Sequence, residues 1–427
     1  MGVAAPKFSD TELFRLAEEY GTPYYLIDQQ TLRKKVAEIE TGFSGFKGAF
    51  RVAYSVKANF NPSVIKTFAS EGIMFDLTAP AELQFVLRCG GSAESVLYTS
   101  ISETLEEYEE VIGMGIRKIV VASYNGLQNL AEAVARTRVP VKAMIRVNPE
   151  VHVHAELRGS MGHGKFGLKF DGPSRDTAFH VLKMMLRMDG VEFEGFHFHL
   201  GSQIEDTSCY AEALEKLEAF ILDARKRLGD FEVRTIDIGG GLPISYGKRV
   251  PSPKDLGGRL VGQLNSLAES IGKFTLVAES GRYLTAESTV LVSRIVNVKN
   301  FGESRYVYVD AGYHVLLDAA LLRHEYPVEV IPAGKQNGSK TVLVGRLCDP
   351  LDVFPTSSRS KLGGAEIGKL VVFKEVGAYS IVMNMPFHSQ PRPYILMRNS
   401  KGSFVVARKG QELGRLFLDE GGDCLTQ

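Results

Sequence analysis

Neither sign of charge is in excess in this sequence: 50 Lys and Arg stand against 50 Asp and Glu, a formal net charge of zero. A chain so balanced has no general attraction for phosphodiester backbones or anionic lipid, so neither nucleic acid nor membrane is an expected partner. Cysteine is scarce, with 4 in 427 residues (Cys89, Cys209, Cys348, Cys424), and no CxxC pair occurs. That argues against a disulfide framework and against structural zinc. There is no run of about 18 apolar residues to span a bilayer. The opening stretch Met1–Lys7 lacks the apolar core of a signal peptide, and Pro6 breaks the myristoylation pattern, so the expected location is the cytoplasm. Low-complexity segments, charge blocks and repeats of 20 to 50 residues are absent as well. No Walker-type GxxxxGK[ST] exists. The GxGxxG match at 162–167 has no strand before it and no clear helix after it, so it lacks the dinucleotide-binding context.

What is present is an ordinary enzyme composition, 44% hydrophobic and 23% charged, in a chain long enough for two domains. Eight short β-rich runs recur: Phe50–Ala58, Met74–Ala79, Ser95–Ser100, Lys118–Ser123, Val141–Pro149, Phe193–Ser202, Val233–Gly241 and Lys273–Ser280. Between them lie stretches of helical period such as Ala81–Cys89, Glu103–Met114 and Ala211–Leu228. Strand then helix eight times over predicts a (β/α)8 barrel, and mostly apolar strands suit a parallel sheet buried on both faces. From about residue 285 the pattern changes to strands without intervening helices: Thr289–Val298, Arg305–Val309, Val328–Ile331, Thr341–Gly345, Lys369–Lys374, Tyr394–Met397 and Ser403–Ala407. The expected organisation is a barrel over 30–284 and an all-β barrel or sandwich domain made of 1–29 plus 285–427, with the strand-like Tyr24–Ile27 in the second domain.

Active sites of such barrels lie at the C-terminal ends of the strands, with phosphate commonly held after strands seven and eight. The unusual residues gather there. Strand one ends in Lys57, strand two carries Asp76, and strand six ends His197-Phe198-His199-Leu200-Gly201-Ser202. Strand seven runs into Gly239-Gly240-Gly241, and strand eight ends Glu279-Ser280-Gly281-Arg282. A lysine ending an apolar strand commonly just reaches for solvent. At a barrel mouth, desolvation would lower its pKa and free the amine to form a Schiff base. The three glycines let backbone N–H groups approach an anion, although such a run also serves in plain tight turns. A buried Glu279 needs a partner such as a protonated heterocyclic nitrogen. The rival reading is a metal-dependent barrel hydrolase built on His197 and His199, with His152 and His154 as a second pair. It wants more ligands than the later strands offer. As a set, the residues describe a pyridoxal phosphate site with no metal.

Eight motifs then carry a resemblance over nearly the whole chain: Tyr54-Ser-Val-Lys-Ala-Asn59, Arg146-Val-Asn-Pro149, Lys165-Phe-Gly-Leu168, His199-Leu-Gly-Ser-Gln203, Gly239–Gly241, Glu279-Ser-Gly-Arg-Tyr283, Cys348-Asp-Pro-Leu-Asp352 and Gly377-Ala-Tyr379. The chain resembles the fold-type III pyridoxal phosphate decarboxylases, the group of diaminopimelate, ornithine and arginine decarboxylases. The resemblance implies that Lys57 forms the Schiff base with the cofactor, that His199 stacks on its ring and that Asp76 lies on the lysine side. It further implies that Ser202, Gly239, Gly240, Gly241, Gly281, Arg282 and Tyr379 hold the phosphate. Glu279 would keep the ring nitrogen protonated, where related racemases place an arginine. The family forms head-to-tail homodimers, so Cys348 would protonate the substrate carbon in the partner's site. As a residue alone, Cys348 also reads as a small buried hydrophobe, the reading adopted for Cys89.

Departures from the diaminopimelate decarboxylase pattern cluster where the distal end of a substrate should bind. Ser280 replaces proline in Glu-Pro-Gly-Arg, and Gly345-Arg346 replaces Gly-Pro. In the stretch His314–Leu322, Asp318 and Leu322 stand where that family has its substrate-binding Arg and Tyr. An arginine fork suits a distal carboxylate, so Arg323 or Arg346 would have to substitute. Cys348-Asp349 resembles the ornithine decarboxylase loop, while Arg323-His324-Glu325-Tyr326-Pro327 resembles decarboxylases of antibiotic and siderophore pathways that act on modified or carrier-bound amino acids. The expected reaction is α-decarboxylation of a small amino acid with a polar distal group, contacted by Asp349, Arg323 and Tyr379.

Overall fold

The computed structural model describes residues 8–153, 155–158, 165–335 and 340–421. His154, Cys424 and the first half of the 162–167 glycine motif lie outside them. The chain forms two units, Arg33–Pro243 with Val250–Tyr283, and Met1–Leu32 with Ile244–Arg249 and Leu284–Gln427.

The first unit is a closed barrel of eight parallel strands: Ala49–Ser55, Met74–Leu77, Val96–Tyr98, Lys118–Val121, Val141–Arg146, Val191–His197, Thr235–Asp237 and Thr275–Ser280. The last strand pairs with the first, so no edge is left open. Each of the eight predicted runs overlaps one of these strands, although Ala49–Ser55 and Val191–His197 begin one and two residues before the runs predicted for them. Helices return the chain between them because their sequences bring their own caps. Thr104 accepts the Glu107 N–H, Ser123 the Gly126 N–H, Thr177 the His180 N–H, and Ser252 with Asp255 forms a reciprocal capping box. Helix Ser208–Leu228 buries Leu214, Leu217, Phe220, Ile221 and Ala224, the stripe its sequence predicts. The helix expected over Glu103–Met114 instead runs Leu105–Gly113. Glu103 takes φ 51° outside it and turns its carboxylate inward to accept the Ala122 N–H at 2.6 Å.

The second unit is mostly sheet. Its strands run in the order Val328–Ile331, Leu370–Phe373, Thr289–Phe301, Tyr24–Asp28, Tyr394–Arg398, Phe404–Arg408. Ser304–Val309 pairs with Thr289–Phe301 and with Lys340–Val344. The Tyr24–Asp28 strand is central, antiparallel to 289–292 and parallel to 394–398, and all five of its residues are buried. The all-β expectation for this half needs one correction. Helix Asp10–Tyr20, started by a Ser9/Glu12 capping box, packs Leu13, Leu16 and Ala17 into a core with Tyr24, Leu26, Val290, Leu370 and Leu396. Short helices Leu317–Leu321 and Leu413–Asp419 also occur. Among the described residues, no helix is long and apolar enough to cross a membrane.

Candidate active site

Strand register determines which side chains share the barrel interior. Arg146, His197 and Asp237 sit abreast on three neighbouring strands. Asp237 is opposite Val277, so Glu279, two residues on, faces the same way one level higher. Glu279 is opposite Ala53, which places Ser55 and its partner Asp76 on that inner face too. The result is a layer of buried charge at the C-terminal mouth: Asp76, Arg146, His197, Asp237 and Glu279 are all nearly inaccessible. Burial pushes the carboxyls of Asp76, Asp237 and Glu279 up from the ordinary carboxylate range. Lys57 and then Arg146 oppose that rise at Glu279. Burial pushes the imidazoles of His197 and His199 down, so both are neutral near pH 7.

Lys57 sits on a single 3-10 turn, Val56–Ala58, directly after the first barrel strand. The buried Tyr54 hydroxyl donates to the Asn59 carbonyl at 2.8 Å and closes this turn from below. The Lys57 ammonium lies 3.6 Å from Asp76 Oδ2. Its side chain is 41% exposed, so the desolvation expected of it is only partial.

A cradle of backbone lies across the mouth. Gly239 has φ 67°, and a Cβ there would meet the Phe198 carbonyl at 2.4 Å. At Gly241, φ 122°, a Cβ would meet the Tyr210 hydroxyl at 2.4 Å. That hydroxyl donates to the Gly240 carbonyl at 2.7 Å and turns the loop so that Gly240 N–H reaches His199 Nδ1 at 3.0 Å. Arg282 Nε donates to Ser202 Oγ at 3.3 Å, placing one guanidinium and one hydroxyl together. Gly281 is pressed against the lysine turn, with a Cβ position 2.8 Å from Ala58 Cβ. Glu279 lies beneath, with Oε1 3.3 Å from His197 Nε2 and Oε2 3.7 Å from His199 Nδ1.

Lys57, Asp76, His199, Ser202, Gly239, Gly240, Gly241, Glu279, Gly281 and Arg282 all belong to the barrel unit; Tyr379, Cys348, Asp349 and Arg323 belong to the other. There, Cys348 is exposed on a loop clasped by Asp352, whose carboxylate accepts the Leu347 and Tyr313 N–H groups at 2.7 Å each. Burial pushes the Asp352 carboxyl up to about 6. Asp349 accepts the Leu351 N–H at 2.8 Å and the Tyr313 hydroxyl at 3.2 Å. The Cys348 N–H reaches His388 Nδ1 at 3.4 Å. Arg323 is exposed in a left-handed turn, Tyr379 is half-buried with φ 58°, and Asp318 is buried. Replacing Asp352 with alanine strands two N–H donors, a loss of about 1–3 kcal/mol. Amide hydrogen exchange at Leu347 and Tyr313 should accelerate roughly 10- to 100-fold while barrel amides stay unchanged. Unchanged exchange would show that the loop does not depend on this clasp.

Residues 29–286, more than half the chain, match the family model for the pyridoxal binding domain of pyridoxal-dependent decarboxylases. The chain belongs to this family. The decarboxylase is 31% identical to the diaminopimelate decarboxylase of Archaeoglobus fulgidus over 90% of this chain and 88% of that one. It is 26% identical to the Methanocaldococcus jannaschii diaminopimelate decarboxylase over 93% and 91% of the two chains. The crystal structure of the M. jannaschii enzyme in complex with L-lysine superposes with a TM-score of 0.88 at 25% identity, covering 96% and 94%. The Helicobacter pylori diaminopimelate decarboxylase complexed with L-lysine gives 0.85 at 25% identity, covering 96% and 99%. The decarboxylase is thus a pyridoxal phosphate-dependent lyase of fold type III, a TIM-like barrel with a mostly sheet second unit. The metallohydrolase reading of the histidine pairs gives way to this membership; His152 is exposed, and His197 and His199 both face Glu279. The residues fit the cofactor: Gly239–Gly241 make a cradle that a Cβ would fill, and the buried Glu279 Oε1 has no hydrogen-bond partner.

Two members of the charged layer escape a reading of the sequence. Arg146 stands out there only as part of a motif, and Asp237 not at all. The available signal is a single acidic residue inside the apolar run Ile236-Asp237-Ile238, next to a glycine turn.

Proposed function

We propose that the decarboxylase removes CO2 from the α-carbon of a small amino acid bearing a polar distal group, diaminopimelate first among candidates, as a cytoplasmic homodimer with shared sites. The observation that carries this reading is the lysine amine paired with Asp76 at a barrel mouth floored by Glu279 and edged by the glycine cradle. Lys57 would hold the cofactor's aldehyde carbon covalently. The Gly239–Gly241 backbone, Gly281, the Arg282 and Ser202 pair and Tyr379 would hold its phosphate, and His199 would lie against its ring. When bound, pyridoxal phosphate supplies an electron sink for the pair left behind as CO2 departs. Glu279 would face the ring nitrogen and keep a proton there. Asp76 keeps the Lys57 amine's proton close at hand. His199, neutral and accepting the Gly240 N–H, offers an uncharged flat face. Cys348 would deliver a proton to the carbon that has lost CO2, acting across the homodimer.

The distal contacts differ from a diaminopimelate pattern. Asp318 is buried in its short helix and presents no fork, whereas Arg323 and Asp349 are accessible, so a modified or carrier-bound amino acid is the second reading. The deciding experiment is the visible spectrum of the purified protein before and after borohydride, with peptide mapping. It is joined to a CO2-release screen of diaminopimelate, ornithine, lysine, arginine and acidic amino acids. A yellow protein labelled at Lys57 and turning over diaminopimelate supports the reading. Labelling without turnover of any free amino acid favours the second substrate class, and a colourless protein that pyridoxal phosphate cannot reconstitute overturns the site.

Cys348→Ala should slow turnover roughly 10- to 100-fold with the cofactor still bound. Mixed with Lys57→Ala protein, it should regain part of the activity. No recovery despite verified subunit exchange would place each site within one chain.

A further inference from the structure

Glu279 has two buried neighbours to which the reading above gives no task, His197 and Asp237. One donor atom of each of the three residues lies within 4.8 Å of the others. A carboxylate set against a ring nitrogen must be both oriented and ionised, in a place where burial favours neither. Orientation requires a hydrogen-bond donor. His199 cannot be that donor through Nδ1, because this atom already accepts the Gly240 N–H. His197 Nε2 stands 3.3 Å from Glu279 Oε1, both buried and neither holding a hydrogen bond, so a small turn of a neutral imidazole with its hydrogen on Nε2 would let it donate there. Ionisation is a matter of the second carboxyl. Asp237 spends Oδ1 on the Gly239 N–H at 2.7 Å, while its buried Oδ2 has no hydrogen-bond partner. Two buried carboxyls this close do not both ionise. Arg146 steadies the charge of both carboxyls, but Lys57 acts on Glu279, while burial and then the Glu279 charge push the Asp237 carboxyl up.

We propose that His197 and Asp237 are positioning residues for Glu279: His197 donates to Oε1, and Asp237 remains a neutral acid, so that Glu279 carries the single negative charge toward the ring nitrogen. The groups facing this trio are Arg146 from the fifth strand, Asp76 from the second and Lys57 from the first. This rests on the assignment of Glu279 to the ring nitrogen.

The test uses the full-length holoenzyme and reads the pH dependence of its visible absorption band, its protonated-carboxyl infrared band, and kcat and KM separately. Asparagine mimics a neutral aspartic acid, so Asp237→Asn should keep the visible pH profile and lose one protonated-carboxyl band. His197→Phe should move the visible pH profile and lower kcat about 10-fold with KM little changed, and His197→Gln, which restores a donor, should recover part of the loss. A displaced profile in Asp237→Asn, a carboxyl band that survives it, or an unmoved profile in His197→Phe overturns the proposal. Glu279→Gln separates the two levels. If it leaves the visible band unchanged, the assignment of Glu279 itself fails; if it shifts the band while the other variants behave contrary to expectation, only the present inference fails.

Discussion

Lys57→Ala is expected to reduce CO2 release by roughly 1000-fold or more, because the amine is both the covalent anchor and the group that fixes the cofactor relative to substrate. The variant also strips Asp76 of the cation 3.6 Å from its Oδ2. With that attraction gone, the already raised Asp76 carboxyl rises further and is held as a neutral acid. Lys57→Arg separates the two effects. A guanidinium keeps the positive charge beside Asp76 but stays protonated and forms no Schiff base, so this variant should match the parent in thermal stability while remaining inactive. The measurements are CO2 release, borohydride labelling and a melting curve on each protein. An active Lys57→Ala enzyme would remove Lys57 from the chemistry, and an active Lys57→Arg would show that only its charge is needed.

Gly239→Ala should weaken pyridoxal phosphate binding about 100-fold, near 2.7 kcal/mol, and lower Tm by roughly 5 °C. A left-handed φ of 67° costs an alanine about 1 kcal/mol in itself. The larger part is steric. The added methyl would sit 2.4 Å from the Phe198 carbonyl and 2.8 Å from His199 Cα, both backbone atoms that no rotamer change can move. Relief requires the strand-seven loop to lift away from strand six. That breaks the Asp237 to Gly239 hydrogen bond and pulls Gly240 N–H off His199. Equilibrium dialysis against the cofactor and calorimetry of the same samples check both numbers. A variant with unchanged affinity would show that the cradle is not where the phosphate binds.

The barrel was legible because its signal is local. Each strand is a short apolar run, and each intervening helix carries an amphipathic stripe such as Leu214, Leu217, Phe220 and Ile221. The seven strand-like runs after residue 285 also appear as strands for that reason. Helix Asp10–Tyr20 went unread even though Ser9 and Glu12 spell out its start. At the mouth, Lys57, Asp76 and Glu279 stood out as charges ending apolar strands, and the family motifs singled them out again. The layer beneath was harder to read because its meaning lies in register. Arg146, His197 and Asp237 are separated in succession by 51 and 40 residues in sequence and acquire a joint role only when three strands bring them abreast. The orientation of Glu103 was hidden for a similar reason: its partner, the Ala122 N–H, is supplied by the following strand.

The central place of Tyr24–Asp28 in the second sheet has a consequence for biosynthesis. This strand leaves the ribosome early, yet its neighbours are 289–292 and 394–398. At about 5–20 residues per second it waits roughly 20–70 s for its last partner. During that time Tyr24, Tyr25, Leu26 and Ile27, all fully buried in the finished protein, have no sheet to join. The barrel segment is translated in the interval and can close on its own strands. The other unit is therefore completed last, from segments that flank the barrel on both sides in sequence.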